Sequence, residues 1–228
     1  MSGVSLAAAA FLAASALSVP AGADGPRRLL SAEAQARIPA VARLNTAGQG
    51  HCTAALIAPD LALTAAHCLD PRGRAERVAA DRLHLLAGWR LGRFVAHYRG
   101  SAAAVAPGWA PGRIAADAAL IRLRPVDGAP ARVAPLPVAP PPAPGTEVFT
   151  LSYGRDRPEA LSREAGCTVT DRRGPLLLTD CEATPGVSGA PLLIRTKAGP
   201  AVVGVVVAAR GAAPPAARGE AIAVAAEP

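Results

Sequence analysis

Between Pro125 and Pro144, eight of twenty residues are proline. Proline fixes φ and removes a backbone donor, so this stretch is too stiff and donor-poor for a central strand. It reads as a linker, residues 126–144, between two halves of the chain. Both halves are punctuated alike, by short apolar runs broken by Gly, Pro and Asp turns, which is how strands rather than helices are written. In the first half the runs fall at 38–44, at Gly50 to Thr64 around a turn at Ala58-Pro59-Asp60, and at Leu83 to Gly88 and Gly92 to His97 as a hairpin around Trp89-Arg90-Leu91. Val105 to Trp109 closes a strand, Asp117 opens the last one, and residues 65–69 form a short helical turn. In the second half strands are expected near 146–153, 165–170, 175–180, 190–195, 201–208 and 220–225. The expected fold is therefore all-β: two antiparallel six-stranded barrels, residues 38–125 and 145–228.

Residues 1–23 carry no charged side chain. An apolar run from Val4 to Val19, followed by Ala21-Gly22-Ala23, has the form of a secretory signal peptide cut after Ala23, with the terminal amine as its one positive group. The run is too short and alanine-rich for a membrane span, and no later segment is longer, so no membrane partner is expected. The implied location is secreted or periplasmic. Residues 24–37 read as a polar leader with helical tendency.

The chain carries a net charge of +7, almost all of it arginine, Lys197 being the one lysine. The arginines are scattered, at Arg27, Arg28, Arg43, Arg72, Arg74, Arg93, Arg155 and Arg172 for example, without interleaved aromatics, which argues against a nucleic-acid partner. Four cysteines follow the leader, at 52, 68, 167 and 181, and an even number in an exported chain implies disulfides with three pairings open. No C-x-x-C spacing is present, so a cysteine metal site is not expected. Nothing marks a second subunit, and a monomer is the expectation.

The chemistry concentrates in three places. Pro185-Gly186-Val187-Ser188-Gly189-Ala190-Pro191 sets one serine in a glycine-rich turn ahead of a strand. A serine hydroxyl is a weak nucleophile until a base and an orienting carboxylate are supplied. Thr64-Ala65-Ala66-His67-Cys68 offers the base and Asp117-Ala118-Ala119-Leu120 the carboxylate. Gly186 lets the backbone bend so that its N–H and that of Ser188 converge on one point, as an oxyanion requires. Each residue also has a plainer reading: His67 as a turn histidine, Asp117 as a strand cap, Ser188 as a turn serine. Asp70 and Asp127 rival Asp117 by position but lack its context, and His51, His84 and His97 read as surface or strand residues.

In the order His67, Asp117, Ser188, and with T-A-A-H-C, D-A-A-L and G-x-S-G-x-P around them, residues 38–225 resemble the chymotrypsin-fold serine proteases, most of all their bacterial secreted branch. The resemblance implies a cleft between the barrels, with His67 and Asp117 from the first and Ser188 from the second. It implies endopeptidase activity on protein or peptide substrates through an acyl-enzyme, with no cofactor and no metal. It also implies the pairing Cys52 with Cys68, which leaves Cys167 for Cys181. After Val224 there is no room for the C-terminal helix of many animal relatives.

Several positions depart from the family pattern. The Arg37–Ile38 bond looks like a zymogen cleavage site, but the aspartate that would receive the freed amine is Val187 here, so activation by that route is not expected. Glu182, six positions before Ser188, corresponds to the floor of the substrate pocket and would favour Arg or Lys; the alternative is that it faces solvent beside Cys181. The pocket wall corresponds to Val205 to Arg210, including Val207 and Ala209. Val206 replaces the histidine of Glu-specific relatives, and Val207 a serine that supports the aspartate in many others. With Val187, Ala190 and Val207 in mind, a catalytically impaired protease-like binding or regulatory protein stays open, as does an esterase using the same triad.

Overall fold

The structure, a computed structural model, describes residues 27–46, 48, 50–70, 77–126, 133–213 and 218–226. The signal-peptide reading, Asp24 to Pro26, Arg72, Arg74 and the rival Asp127 lie outside the described residues. The chain enters with β1 (Arg27–Leu29) and one short helix, α1 (Ala32–Ala36), capped by the Ser31 hydroxyl, which accepts from the N–H of Ala34. The first barrel holds β2 (Val41–Thr46), β3 (His51–Ala58), β4 (Leu61–Thr64), β5 (Leu83–Ala87), β6 (Ala96–Val105) and β7 (Ala119–Pro125). Its order is β2-β3-β4-β7-β6-β5, closed by antiparallel pairing of β5 with β2.

Alternation builds this barrel. In β7, Ala119, Ile121 and Leu123 face the core while Leu120, Arg122 and Arg124 face solvent. Leu44, Leu56, Leu83, Leu85 and Ile121 are fully buried together. Each such side chain contributes roughly 1.5–3 kcal/mol of transfer free energy.

The second barrel holds β8 (Glu147–Ser152), β9 (Ser162–Arg173), β10 (Leu176–Ala183), β11 (Pro191–Thr196), β12 (Gly199–Ala213) and β13 (Arg218–Ala225). Its order is β9-β10-β13-β12-β11-β8, and β8 returns to β9 to close it. Val148, Val169, Leu177, Leu192, Val203 and Val206 fill its interior. The proline-dense connection ties the barrels together: Leu136 N–H donates to Leu56 O of β3 at 2.9 Å, and Ala139 N–H to Val202 O of β12 at 2.8 Å. No helix among the described residues is long and apolar enough to cross a membrane.

Three expectations shift. The run at 38–44 becomes a strand only from Val41, because Ile38 N–H closes the end of α1 on Gln35 O and Pro39 has no donor. The first strand among the described residues is β1, within the segment expected as a polar leader, paired antiparallel with β9 as Arg27↔Glu164, Arg28↔Arg163 and Leu29↔Ser162. β10 pairs with β9 only as far as Thr179, and β1 takes the edge it vacates. The second hairpin arm starts at Ala96 rather than Gly92, since Arg90 and Arg93 bond each other across a tight turn in which Leu91 takes φ 46°.

Candidate active site

Residues Ala66–Leu69 form a 3₁₀ turn directly after β4, and Cys68 in that turn is disulfide-bonded to Cys52 on β3. The bond closes a 16-residue separation beside His67. A loop of that size removes about 3 kcal/mol of unfolded-chain freedom. Asp117 does not open β7. It ends a second 3₁₀ turn, Ile114–Ala116, two residues before the strand. There its carboxylate makes two contacts with one residue: Oδ2 lies 2.7 Å from His67 Nδ1, and Oδ1 accepts from the His67 backbone N–H at 2.9 Å. Asp117 is 3 % exposed, whereas the His67 side chain is 35 % exposed. Because a carboxylate only accepts, Nδ1 carries the proton and Nε2 is left as the basic nitrogen on the open side of the ring.

Ser188 arrives from the second barrel in the turn between β10 and β11. Its carbonyl accepts from Thr53 N–H of β3 at 2.9 Å. A Cβ on Gly189 would sit 2.1 Å from Thr53 O, 2.3 Å from Thr64 Oγ1 and 3.2 Å from Ala65 N. The serine turn therefore lies directly against the segment that leads into His67. Gly186 takes φ 91° and Gly189 φ 80°, both in the region that favours glycine.

The turn also sorts its amides. Val187 N–H donates to Thr184 O, Gly189 N–H to Val206 O and Ala190 N–H to Val187 O. The N–H groups of Gly186 and Ser188 have no backbone acceptor among the described residues. Two free donors flanking a serine are what a developing oxyanion would use.

Glu182 lies on β10 opposite Glu220 of β13, and Glu220 is opposite Arg210 of β12. Arg210 and Glu220 are ion-paired. With Asp180 and Cys181 they line a cleft of about 490 Å³. Ala209 pairs with Ala221 and does not line this cleft, while Val207 is in the core at 5 % exposure and Val206 at 1 %. Asp70 is buried outside the His67–Asp117 contact. His51 Nε2 lies 3.0 Å from Tyr153 O, with its pKa lowered by burial and by Arg43, and His84 Nδ1 lies 2.9 Å from His97 Nε2.

Cys167 is bonded to Cys181. Cys52, His67 and Cys68 cluster tightly enough to suggest metal ligation, but both sulfurs are consumed in the disulfide.

Sequence reasoning missed a buried polar layer behind the serine turn. Arg27, 3 % exposed, donates from Nη2 to Asp156 Oδ2 at 2.5 Å and from Nη1 to Thr184 Oγ1 at 3.2 Å. Glu164, 2 % exposed, accepts the Glu182 backbone N–H through Oε1, and burial pushes its pKa up to about 7. Thr53 Oγ1 donates to Gly186 O and accepts from Tyr153 N–H. None of these residues sits in a local motif; only the count of charged residues in apolar surroundings could have flagged them.

The model of the family described as a trypsin-like peptidase domain matches residues 52–205. Among solved structures, the protease Anisep from Arthrobacter nicotinovorans superposes with a TM-score of 0.70 at 17 % identity, over 87 % of this chain and 93 % of that one. A thermostable serine protease, AL20, from an extremophilic microorganism superposes at 0.69, also at 17 % identity, over 83 % and 92 %. Comparison with curated proteins finds no match.

Proposed function

This chain belongs to the trypsin-like peptidase domain family, and from that premise we propose that it is a secreted serine endopeptidase working through Ser188, His67 and Asp117. The observation that carries the assignment is the double contact of Asp117 with His67, at 2.7 Å to Nδ1 and 2.9 Å to the backbone N–H. It fixes the tautomer that leaves Nε2 basic. Ser188 Oγ attacks the scissile carbonyl carbon as His67 Nε2 takes its proton. The tetrahedral oxyanion is held by the N–H groups of Gly186 and Ser188, and Asp117 stabilises the imidazolium. Collapse expels the amine, which receives the proton from His67. Water then repeats the sequence on the acyl-enzyme and frees the acid.

The cleft beside Glu182 is lined by the carboxylates of Asp180, Glu182 and Glu220, the last ion-paired with Arg210. Glu182 holds the position that the family resemblance gives to the pocket floor, and a carboxylate there favours a basic residue before the cut. Glu182→Gln is expected to lower kcat/KM for Arg substrates by about tenfold or more, the equivalent of one charge-assisted contact.

Cleavage of a diverse peptide library by the exported chain, with Ser188→Ala as control, tests the assignment. Cuts that vanish in the variant support it. Hydrolysis of esters with every peptide left whole would make the protein an esterase. A folded, disulfide-bonded protein that neither cuts nor takes a fluorophosphonate on Ser188 would make it a protease-like binding protein.

A further inference from the structure

The buried layer behind the serine turn begins in the leader. β1 is three residues long, yet its Arg27 is almost wholly buried and reaches 129 residues along the chain to Asp156 and 157 to Thr184. Thr184 belongs to the serine turn itself, since its carbonyl accepts from Val187 N–H. The guanidinium also packs on Gly154: a Cβ there would meet Arg27 Nη1 and Asp156 Oδ1 at 2.4 Å each, so a larger residue would have to displace the pair. Gly154 in turn supports the oxyanion residue: a Cβ on Gly186 would lie 2.7 Å from Arg155 N and 3.1 Å from Gly154 C, and Arg155 N–H donates to Pro185 O at 2.8 Å.

A second tether comes from α1. Gln35, 2 % exposed, donates through Nε2 to Trp89 O of the first barrel at 2.5 Å. Its Oε1 accepts from Arg90 Nη1 at 3.0 Å and from Leu161 N–H at 3.2 Å, the latter just before β9. Tyr153 O–H also donates to Trp89 O, and the Tyr153 N–H reaches Thr53 Oγ1, whose own backbone N–H holds Ser188 O. Residues 27–37 thus bridge both barrels and end on the turn that carries the nucleophile. A segment designed for removal would not bury a charge and an amide whose partners are left exposed to the gap when it goes.

Resting on the endopeptidase reading above, we propose that residues 27–37 stay in the working enzyme as a strap, and that Arg27 is a positioning residue that holds the Ser188 turn through Thr184 and Asp156. Val187 offers no carboxylate to anchor this turn from within, so the anchor is a guanidinium brought from outside it. Cutting at Arg37–Ile38 would sever the strap from the first barrel and loosen the oxyanion turn; it would not activate the enzyme.

The test uses the full exported chain and compares wild type with Arg27→Ala, Arg27→Lys and Thr184→Val, with near-UV dichroism and Tm as the fold check. Fluorophosphonate labelling of Ser188 and hydrolysis of a peptide ester are the readouts. Displacing a reacting group by about 1 Å costs on the order of 100-fold. Arg27→Ala is therefore expected to lower the labelling rate and kcat together by about 10- to 100-fold, with KM altered by less than about threefold. Arg27→Lys should recover part of the loss, because an ammonium meets Asp156 but does not fork to Thr184 as well. Thr184→Val deletes only the acceptor, so it reports even where Arg27→Ala does not fold, and it should lower kcat while Tm falls by no more than a few degrees. N-terminal sequencing of the labelled wild-type chain should begin at or before Arg27.

Folded Arg27→Lys and Thr184→Val proteins labelled at the wild-type rate would overturn the inference, and so would a fully active enzyme that begins at Ile38. Either result, with wild type active, leaves the endopeptidase reading intact. A wild-type chain that takes no label overturns both.

Discussion

Asp117 holds His67 at two points, ring and backbone, with oxygens 2.7 Å from Nδ1 and 2.9 Å from the backbone N. The ring contact fixes the tautomer and restrains χ1, but by itself it would leave the turn that carries the ring free to shift. The second contact locks the backbone of the 3₁₀ turn to the same carboxylate. Orientation and tautomer are thus set by one buried group.

Asp117→Asn separates these two roles. An amide keeps a comparable shape, but it turns an obligate acceptor into a group that can present NH₂ to Nδ1 and so stabilise the tautomer with its proton on Nε2. The expected outcome is a kcat lower by about 10³- to 10⁴-fold with the fold retained. Steady-state kinetics on an ester substrate, with Tm alongside, check it.

Gly189 packs against the first barrel where no side chain fits. Gly189→Ala places a methyl 2.1 Å from Thr53 O at φ 80°, so the serine turn must lift from β3. Backbone strain of this kind costs about 1–3 kcal/mol, and the labelling rate of Ser188 should fall with it by roughly 100-fold. Gly145→Ala has a similar φ of 86° but open space around it, and should cost stability alone, by about 1–2 kcal/mol. Equal labelling of the two variants would refute the packing argument.

Glu164 makes stability depend on pH in the opposite sense to an ordinary paired carboxylate. Burial raises its pKa from 4.5 to about 7, with Glu182 and Asp180 adding to the rise, while the Glu182 N–H and Arg27 oppose it. The folded chain therefore binds this proton more tightly than the unfolded chain. Its contribution to stability is whole below about pH 4.5 and is lost as pH rises through about 7. Glu164→Gln, which retains the Oε1 acceptor for Glu182 N–H, should match wild type in Tm near pH 4.5 and exceed it by a few degrees at pH 8. Thermal unfolding at both pH values decides it; a constant difference would mean that Glu164 does not titrate in this range.

The disulfide Cys52–Cys68 fastens the His67 turn to β3. Replacing both cysteines by alanine is expected to cost about 3 kcal/mol and to reduce kcat more than the Cys167–Cys181 double replacement does, since the latter bond joins β9 to β10 within the second barrel. Parallel denaturant titrations and kcat measurements distinguish the two.

How much of this was legible beforehand divides by range. Alternation such as Ala119, Ile121, Leu123 against Leu120, Arg122, Arg124 is a local signal, and it placed β7 and most of the second barrel closely. It failed at β1 and at the start of β6. Three residues are too short for periodicity to register, and the turn at Arg90 to Arg93 depends on hydrogen bonds that no alternation encodes. His67, Asp117 and Ser188 stood out as types in context, while the 2.7 Å approach of two of them is a matter of the folded barrel.

By itself the sequence determined most of the strands, the division at the proline-dense connection and the three residue types that chemistry would require. These follow from neighbours a few positions apart, where side-chain period, turn residues and missing donors act directly. Only the tertiary structure decided that Arg27 lies beneath the Ser188 turn, that Gln35 bridges the two barrels and that Glu164 is buried at the edge β10 vacates. Such contacts span up to 157 residues. They are selected by desolvation and by the need of buried polar groups for partners, and that accounting exists only once the chain has closed around them.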